Sequence, residues 1–327
     1  MAANKSTRQP ADSYATAYHA PVLVEEVIKW LGVTDGGVYL DGTAGGGGHT
    51  QAILEASEPG GRVLAMDRDP RAVEEVRNRL QDQYPERLVV VEANYGDAPR
   101  VLEELGWAPV DGWLIDAGVS SHQLDEAQRG FSFQSEGPLD MRMGPDAMPV
   151  SQYLDQVEQE ELAEVLKEFG EIRGSWGMAK AILEAREDGA LETTKDLSDL
   201  IVRRSPPRHH PKAKSIHPAT LVFQALRIAV NRELTHLKEA VAAIPEVVEG
   251  GGRAVFISFH SLEDRIIKHG FRHLADPCRC PPDLPRCGCG AVSKGEVLIR
   301  KPVTASDEEA QKNPRARSAK LRAFQVS

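Results

Sequence analysis

The stretch Asp41-Gly42-Thr43-Ala44-Gly45-Gly46-Gly47-Gly48 joins a carboxylate to a run of glycines. Glycines let backbone approach a bound molecule closely, and they leave the N–H groups of a following helix aimed at it. Asp67 stands 26 residues beyond Asp41. At the end of a second strand, such a carboxylate accepts hydrogen bonds from both hydroxyls of a ribose. Alone, either half reads equally well as a flexible connector or a helix-capping aspartate. Together in one β-α-β unit they point to a ligand carrying a nucleoside. The glycine spacing fits Gly-x-Gly-x-x-Gly poorly, and no Gly-Lys-Ser/Thr ending follows, which argues against a pyrophosphate-gripping fingerprint and a P-loop.

Other residues have the right chemistry for a site. Asp116 closes a fourth apolar run, Trp113-Leu114-Ile115, and His260 lies between Ser258 and Ser261 after a later one. A histidine at a strand end is more often a hydrogen-bonded structural residue than a catalyst. Phe131 and Phe133 suit stacking on an extruded base, and equally the core of a lid. Cys278, Cys280, Cys287 and Cys289 form two Cys-x-Cys pairs in one turn-rich segment. Four reduced thiols can complete a tetrahedral structural zinc site, although this spacing is tighter than usual and unliganded thiols are the competing reading.

These groups need elements to position them. Short apolar runs ending at Asp41, Asp67, Asn94 and Asp116 alternate with helical stretches over 49–56 and 70–80. That alternation predicts a mainly parallel sheet with helices on both faces, its strand C-termini sharing one ligand-binding edge. From Ala117 to Val150 the periodicity stops; a structureless stretch of this length in a compact domain is usually functional, and Phe131, Phe133, Met141 and Met143 suit an ordered lid. Ser151 to Phe169 reads as one helix, and helical patterns continue to about Val202. A long helix is expected from Pro218, its later apolar face (Leu234, Leu237, Val241, Ile244) stopping before Pro245. Gly250-Gly251-Gly252 then feeds a strand over 254–259, and Val297-Leu298-Ile299 reads as the last strand.

A length of 327 residues predicts about two domains. The expected division is a disordered segment 1–17, an α/β domain formed by 18–125 and 216–327, and an inserted unit 126–215 made of lid loop and helices. Charged content of 27% and hydrophobic content of 41% exclude fibrous and wholly disordered readings. The net charge of −10 argues against a generic polyanion binder. Its distribution says more: 201–232 and 311–327 contain no acid, whereas Asp155 to Glu171 carries seven. Arg203, Arg204, Arg208, Lys212 and Lys214 in the first basic stretch, with Arg315, Arg317 and Lys320 in the second, are candidate phosphate contacts. Met1 to Ala17 lacks the apolar core of a signal peptide and no run reaches bilayer length, so a cytoplasmic protein without membrane partners is expected.

A strand-terminal acid leading straight into a glycine turn resembles the cofactor loop of class I S-adenosylmethionine methyltransferases. Longer motifs narrow the likeness: His19-Ala20-Pro21-Val22-Leu23, Asp67-Arg68-Asp69-Pro70, Asp116-Ala117-Gly118-Val119-Ser120-Ser121, Arg129-Gly130-Phe131-Ser132-Phe133, Gly137-Pro138-Leu139-Asp140-Met141-Arg142-Met143, Ser258-Phe259-His260-Ser261-Leu262 and Asn313-Pro314-Arg315-Ala316-Arg317-Ser318. From His19 to about Arg322 the chain resembles the bacterial RsmH (MraW) family. The resemblance implies a class I, Rossmann-like α/β methyltransferase that uses S-adenosylmethionine to methylate N4 of a cytidine in the decoding region of 16S ribosomal RNA, within the small ribosomal subunit. It implies that Gly47, Gly48 and His49 form the cofactor turn and that Asp67 holds the ribose. Tyr95 would then pack on the adenine, with Asp116 and Gln123 completing the site. Ala44, Gly46 and His122 depart from the family's common residues, and Gly46 is expected to loosen the turn.

An exocyclic cytosine amine is a poor nucleophile, and an acceptor at the amine localises its lone pair. Asp116 is the best-placed acceptor, a cofactor-only contact or a cap being the alternatives; His260 is a second catalytic candidate. Two other classes share these features. A nicotinamide-dependent oxidoreductase would share the sheet and Asp67, and a non-catalytic small-subunit assembly factor would share the basic stretches.

Overall fold

The computed structural model describes Tyr14 and residues 21–205, 217–281 and 288–327. The remainder of the 1–17 segment therefore lies outside the described residues, as do His19, Arg208, Lys212, Lys214 and Cys287. Tyr14, within the segment expected to be disordered, is instead buried and donates from its hydroxyl to Glu55 Oε2 at 2.7 Å.

Along the chain come α1 (Val24–Leu31), β1 (Val38–Asp41), α2 (Gly48–Ala56), β2 (Arg62–Asp67), α3 (Pro70–Val76), β3 (Leu88–Glu92), α4 (Ala98–Leu105) and β4 (Val110–Asp116). A helical series follows: α5 (Ser121–Asp125), α6 (Val150–Gln156), α7 (Gln159–Gly170), α8 (Ser175–Glu187), α9 (Thr194–Arg204) and α10 (Pro218–Asn231). The chain ends with α11 (Glu233–Val247), β5 (Val248–Ser258), α12 (Ser261–Ala275), β6 (Gly295–Val297), α13 (Asp307–Lys312) and β7 (Lys320–Val326). Among the described residues no helix is long and apolar enough to cross a membrane.

Two compact units result, Met1–Gly118 with Leu234–Ser327, and Val119–Glu233. In the first, the strands form one sheet in the order β3-β2-β1-β4-β5-β7-β6. The first five are mutually parallel, while β7 runs antiparallel to both β5 and β6. Side chains alternate between the two faces of a strand, and both faces are covered. Tyr39, Val63, Ala65, Leu114, Val255, Ile257 and Leu321 enter one core with α1 and α2. Leu40, Leu64, Met66, Trp113, Ile115, Phe256 and Phe324 enter another with α4, α11 and α12. Burial on both faces explains why these strands read as continuous apolar runs.

The helical unit has its own core, which includes Phe131, Met141 and Met143 from the lid stretch. Ala219, Val222, Phe223, Ala225 and Leu226 of α10 belong to it as well. Both expected boundaries therefore move: the units divide after Gly118 and after Glu233, because α10 buries its apolar face among the helices.

Several elements differ from expectation. The single helix over 151–169 is two, since extended Val157 and Glu158 separate α6 from α7, and Glu160 and Glu161 favour a fresh N-terminus there. The helix from Pro218 is broken at Arg232, which adopts a left-handed φ of 51°. Its successor α11 runs through Pro245, which sits in the last turn. The three glycines 250–252 lie within β5 at a register shift opposite Val110 and Gly112; a Cβ on Gly252 would stand 2.6 Å from the Asp111 carbonyl oxygen. Of the expected last strand over 297–299 only Val297 lies in the sheet, as the end of β6, and the true last strand is β7.

Candidate active site

The chain leaves β1 on one side to build β2 and β3, then resumes on its other side with β4. The carboxyl ends of β1 and β4 thus flank the point where the winding reverses, which is where ligands of such sheets bind. Asp41, Asp67 and Asp116 end β1, β2 and β4 there, as the sequence predicts.

The three carboxylates have different tasks. Asp41 is fully buried; its Oδ2 accepts from Thr50 Oγ1 at 2.6 Å and its Oδ1 from the Thr43 N–H at 3.2 Å. Burial pushes this carboxyl up, opposed by nearby His49 and by the two hydrogen bonds. Asp41 is thereby committed to tying the strand end to the turn and to α2. Asp67 accepts from the Gly45 N–H at 2.8 Å on one oxygen and the Asp69 N–H at 2.9 Å on the other. Each oxygen keeps acceptor capacity. Burial pushes Asp67 up to about 6 against these two bonds, although the residue keeps part of its surface open.

The glycine turn is shaped rather than slack. Gly45 and Gly47 adopt left-handed φ values of 51° and 78°, which only glycine takes without strain. Gly47 caps α2, and no side chain caps the first turn, where Gly48 and His49 stand. Arg79, on a π-helical turn at Arg77–Gln81, donates to the Gly46 carbonyl oxygen and, at 3.0 Å, to Gln51 Oε1. That clamp offsets the looseness expected from Gly46. Gly42 is hemmed in: a Cβ there would stand 3.0 Å from Tyr95 Cβ and 3.1 Å from Trp113 Nε1, so Tyr95 packs against the strand end.

At the end of β4, the Asp116 N–H donates to Thr43 Oγ1 at 2.6 Å, while its Oδ2 lies 3.6 Å from His49 Nε2. Asp116 Oδ1, both ring nitrogens of His49 and Asn94 Nδ2 are buried without a hydrogen-bond partner. An orphaned buried polar group costs about 1–3 kcal/mol. Four such atoms on residues at one sheet edge mark a place that a polar ligand completes. With the left-handed glycine turn, the uncapped helix start and the spare acceptor capacity of Asp67, these residues fit a nucleoside cofactor.

The remaining candidates are placed as follows. His260 follows β5, whose Ile257 is the register partner of Asp116, and so belongs to the same edge. Its Nε2 stands 3.0 Å from Glu263 Oε1, and buried Glu263 also accepts from the Phe259 and His260 N–H groups at the start of α12. Both ring nitrogens of His260 are nevertheless buried without a hydrogen-bond partner, so His260 shares the incomplete bonding of this edge. Gln123 belongs to the helical unit, where it closes a capping box with Ser120 at α5. Phe131 is core, and Phe133 stacks on His217 at 4.7 Å and meets Phe223 at 5.2 Å, so packing accounts for both rings. Arg203 and Arg204 are exposed at the end of α9, and Arg317 is exposed with Nε donating to the Ala310 carbonyl oxygen. Arg315 is half-buried. Lys320 belongs to β7 rather than to a tail; it lies 3.8 Å from Asp264, which also holds buried Arg322 at 2.7 Å. Cys278, Cys280 and Cys289 lie together.

Sequence reasoning missed Thr43, Arg79 and Asn94. Asn94 carried a signal, since it follows β3 as the aspartates end their own strands. Arg79 carried none, because its clamp joins residues 33 positions apart.

Fold and site together are those of an α/β methyltransferase. The model of the MraW methylase family matches residues 16–327, and the chain belongs to that family. A protein of Geobacter sulfurreducens named "Ribosomal RNA small subunit methyltransferase H" is 49% identical over 310 residues, covering 94% of this chain and 98% of its own. Proteins of the same name from Heliobacterium mobile and Anaeromyxobacter dehalogenans are 46% and 48% identical, each over 94% of this chain and over 98% and 97% of their own lengths.

Proposed function

We propose that the protein transfers a methyl group from S-adenosylmethionine to N4 of a cytidine in 16S ribosomal RNA, acting on the small ribosomal subunit. The observation that carries this reading is the Asp116–His49 pair at the switch point, buried and incompletely hydrogen-bonded, beside a turn and a carboxylate suited to a nucleoside. The names of the relatives supply the class of RNA.

When bound, the cofactor supplies a methyl group already activated by its sulfonium, so the protein's task is mainly alignment. Asp67 accepts from the ribose hydroxyls, Tyr95 packs on the adenine, and Gly47, Gly48 and His49 approach through backbone. Asp116 Oδ1 accepts from the exocyclic amine, which localises the nitrogen lone pair and takes up the developing positive charge. Thr43 fixes the Asp116 backbone, and His49 Nε2 stands 3.6 Å from the second carboxylate oxygen. The target base leaves its stack to reach the edge, and Arg203, Arg204 and Arg317 contact phosphates.

The test is methyl transfer from labelled S-adenosylmethionine to unmodified small subunits, followed by nucleoside analysis. Labelled N4-methylcytidine supports the reading; label in another nucleoside, or none, rejects it. Replacing Arg203 and Arg204 together by alanine should weaken subunit binding and flatten its salt dependence, with methyl-donor affinity unchanged.

A further inference from the structure

Between α12 and β6 the chain makes a long excursion, closed at its base by the Lys294 N–H donating to the Leu274 carbonyl oxygen at 2.8 Å. None of its described residues from 276 to 294 is buried, and Val292 is 70% exposed. These described residues contribute no core of their own that would hold one shape. Yet they bring three thiols together: the sulfurs of Cys278, Cys280 and Cys289 all lie within 4.8 Å of one another. Gly290, at a left-handed φ of 65°, turns the chain immediately after Cys289.

We infer that Cys278, Cys280 and Cys289 bind a structural zinc ion that staples this excursion. One sulfur pair has the spacing of metal ligands. A tetrahedral zinc with sulfurs at about 2.3 Å requires a sulfur–sulfur edge of about 3.8 Å, and Cys289 Sγ lies 3.7 Å from Cys278 Sγ. Thiolate donors select a soft or borderline ion over calcium or magnesium. Each thiol gives up its proton to solvent as the zinc binds, with no change of oxidation state. The ion takes no part in methyl transfer, since these thiols lie outside the carboxyl edge.

Metal content of the full-length reduced protein, measured after dialysis against weak chelator, tests the inference. It predicts one tightly held zinc per chain, intense visible absorption of a tetrahedral thiolate site after exchange for cobalt, and loss of both in Cys278→Ser, Cys280→Ser and Cys289→Ser. It also predicts that zinc removal leaves S-adenosylmethionine affinity unchanged while proteolysis between residues 276 and 294 accelerates. Retention of zinc by the triple serine variant, substoichiometric metal in the parent protein, or a Cys278–Cys289 disulfide in its place would overturn it.

Discussion

The carboxyl edge of the sheet and the surroundings of Asn231 in the helical unit treat buried polar groups in opposite ways. In the helical unit Asn231 is 1% exposed, yet its amide is satisfied on both sides: Oδ1 accepts from the Met143 N–H at 2.8 Å and Nδ2 donates to the Met141 and Arg227 carbonyl oxygens. Arg227 and Glu233 likewise form a two-bond pair at 2.8 and 3.0 Å. At the sheet edge, His49, Asn94 and Asp116 have buried polar atoms left unpaired. Saturated polar groups hold a fold together, whereas unsaturated ones on a rigid edge await a ligand.

Substitutions can break or sharpen that contrast. The largest effect is expected at Asp116. Asp116→Ala should lower kcat for methyl transfer by about 100- to 10,000-fold, the usual worth of a positioned acid–base group, with an unchanged melting temperature. Asp116→Asn should cost kcat more than S-adenosylmethionine affinity; the reverse split, by steady-state kinetics and calorimetry, would make Asp116 a cofactor contact only.

Asp67 comes next. Asp67→Asn should weaken cofactor binding by about 10- to 100-fold, roughly one or two charge-assisted hydrogen bonds. Because burial pushes Asp67 up to about 6, the parent protein should lose affinity as pH falls through that value, when the carboxyl gains a proton and loses an acceptor. The asparagine variant should titrate flat over the same range in calorimetry. In the free protein the sign is opposite: a carboxyl raised in the fold makes folding less favourable as pH rises from about 4 to about 6.

On the other side of the comparison, Asn231→Ala should destabilise the protein by about 2 kcal/mol in denaturant titration, since it removes a side-chain partner from three backbone groups, while cofactor affinity stays the same. The smallest effect is expected at Phe133→Leu, about 1 kcal/mol of stability with kcat unchanged; a large drop in kcat there would restore base stacking as the ring's role.

The same contrast explains what was legible in the sequence. Strand ends at Asp41, Asp67 and Asp116 and the glycine turn are local patterns, and they survived intact. β7 was hidden because Lys320 and Arg322 read as a basic tail, although Leu321, Ala323 and Phe324 alternate into the two cores and Asp264 neutralises the charge. The unit boundary was misplaced because the apolar face of α10 fits either core on periodicity alone. Phe131 and Phe133 show the limit most plainly: an aromatic in a loop has the same sequence whether it packs or waits for a base, and only its neighbours decide.

The decisive measurement is a crystal structure of the protein with S-adenosylmethionine bound. Ribose hydroxyls on Asp67, adenine against Tyr95 and the methyl-bearing end beside Asp116 are the predicted result. A donor lodged elsewhere, with the buried atoms of His49, Asn94 and Asp116 still unpartnered, would contradict the account.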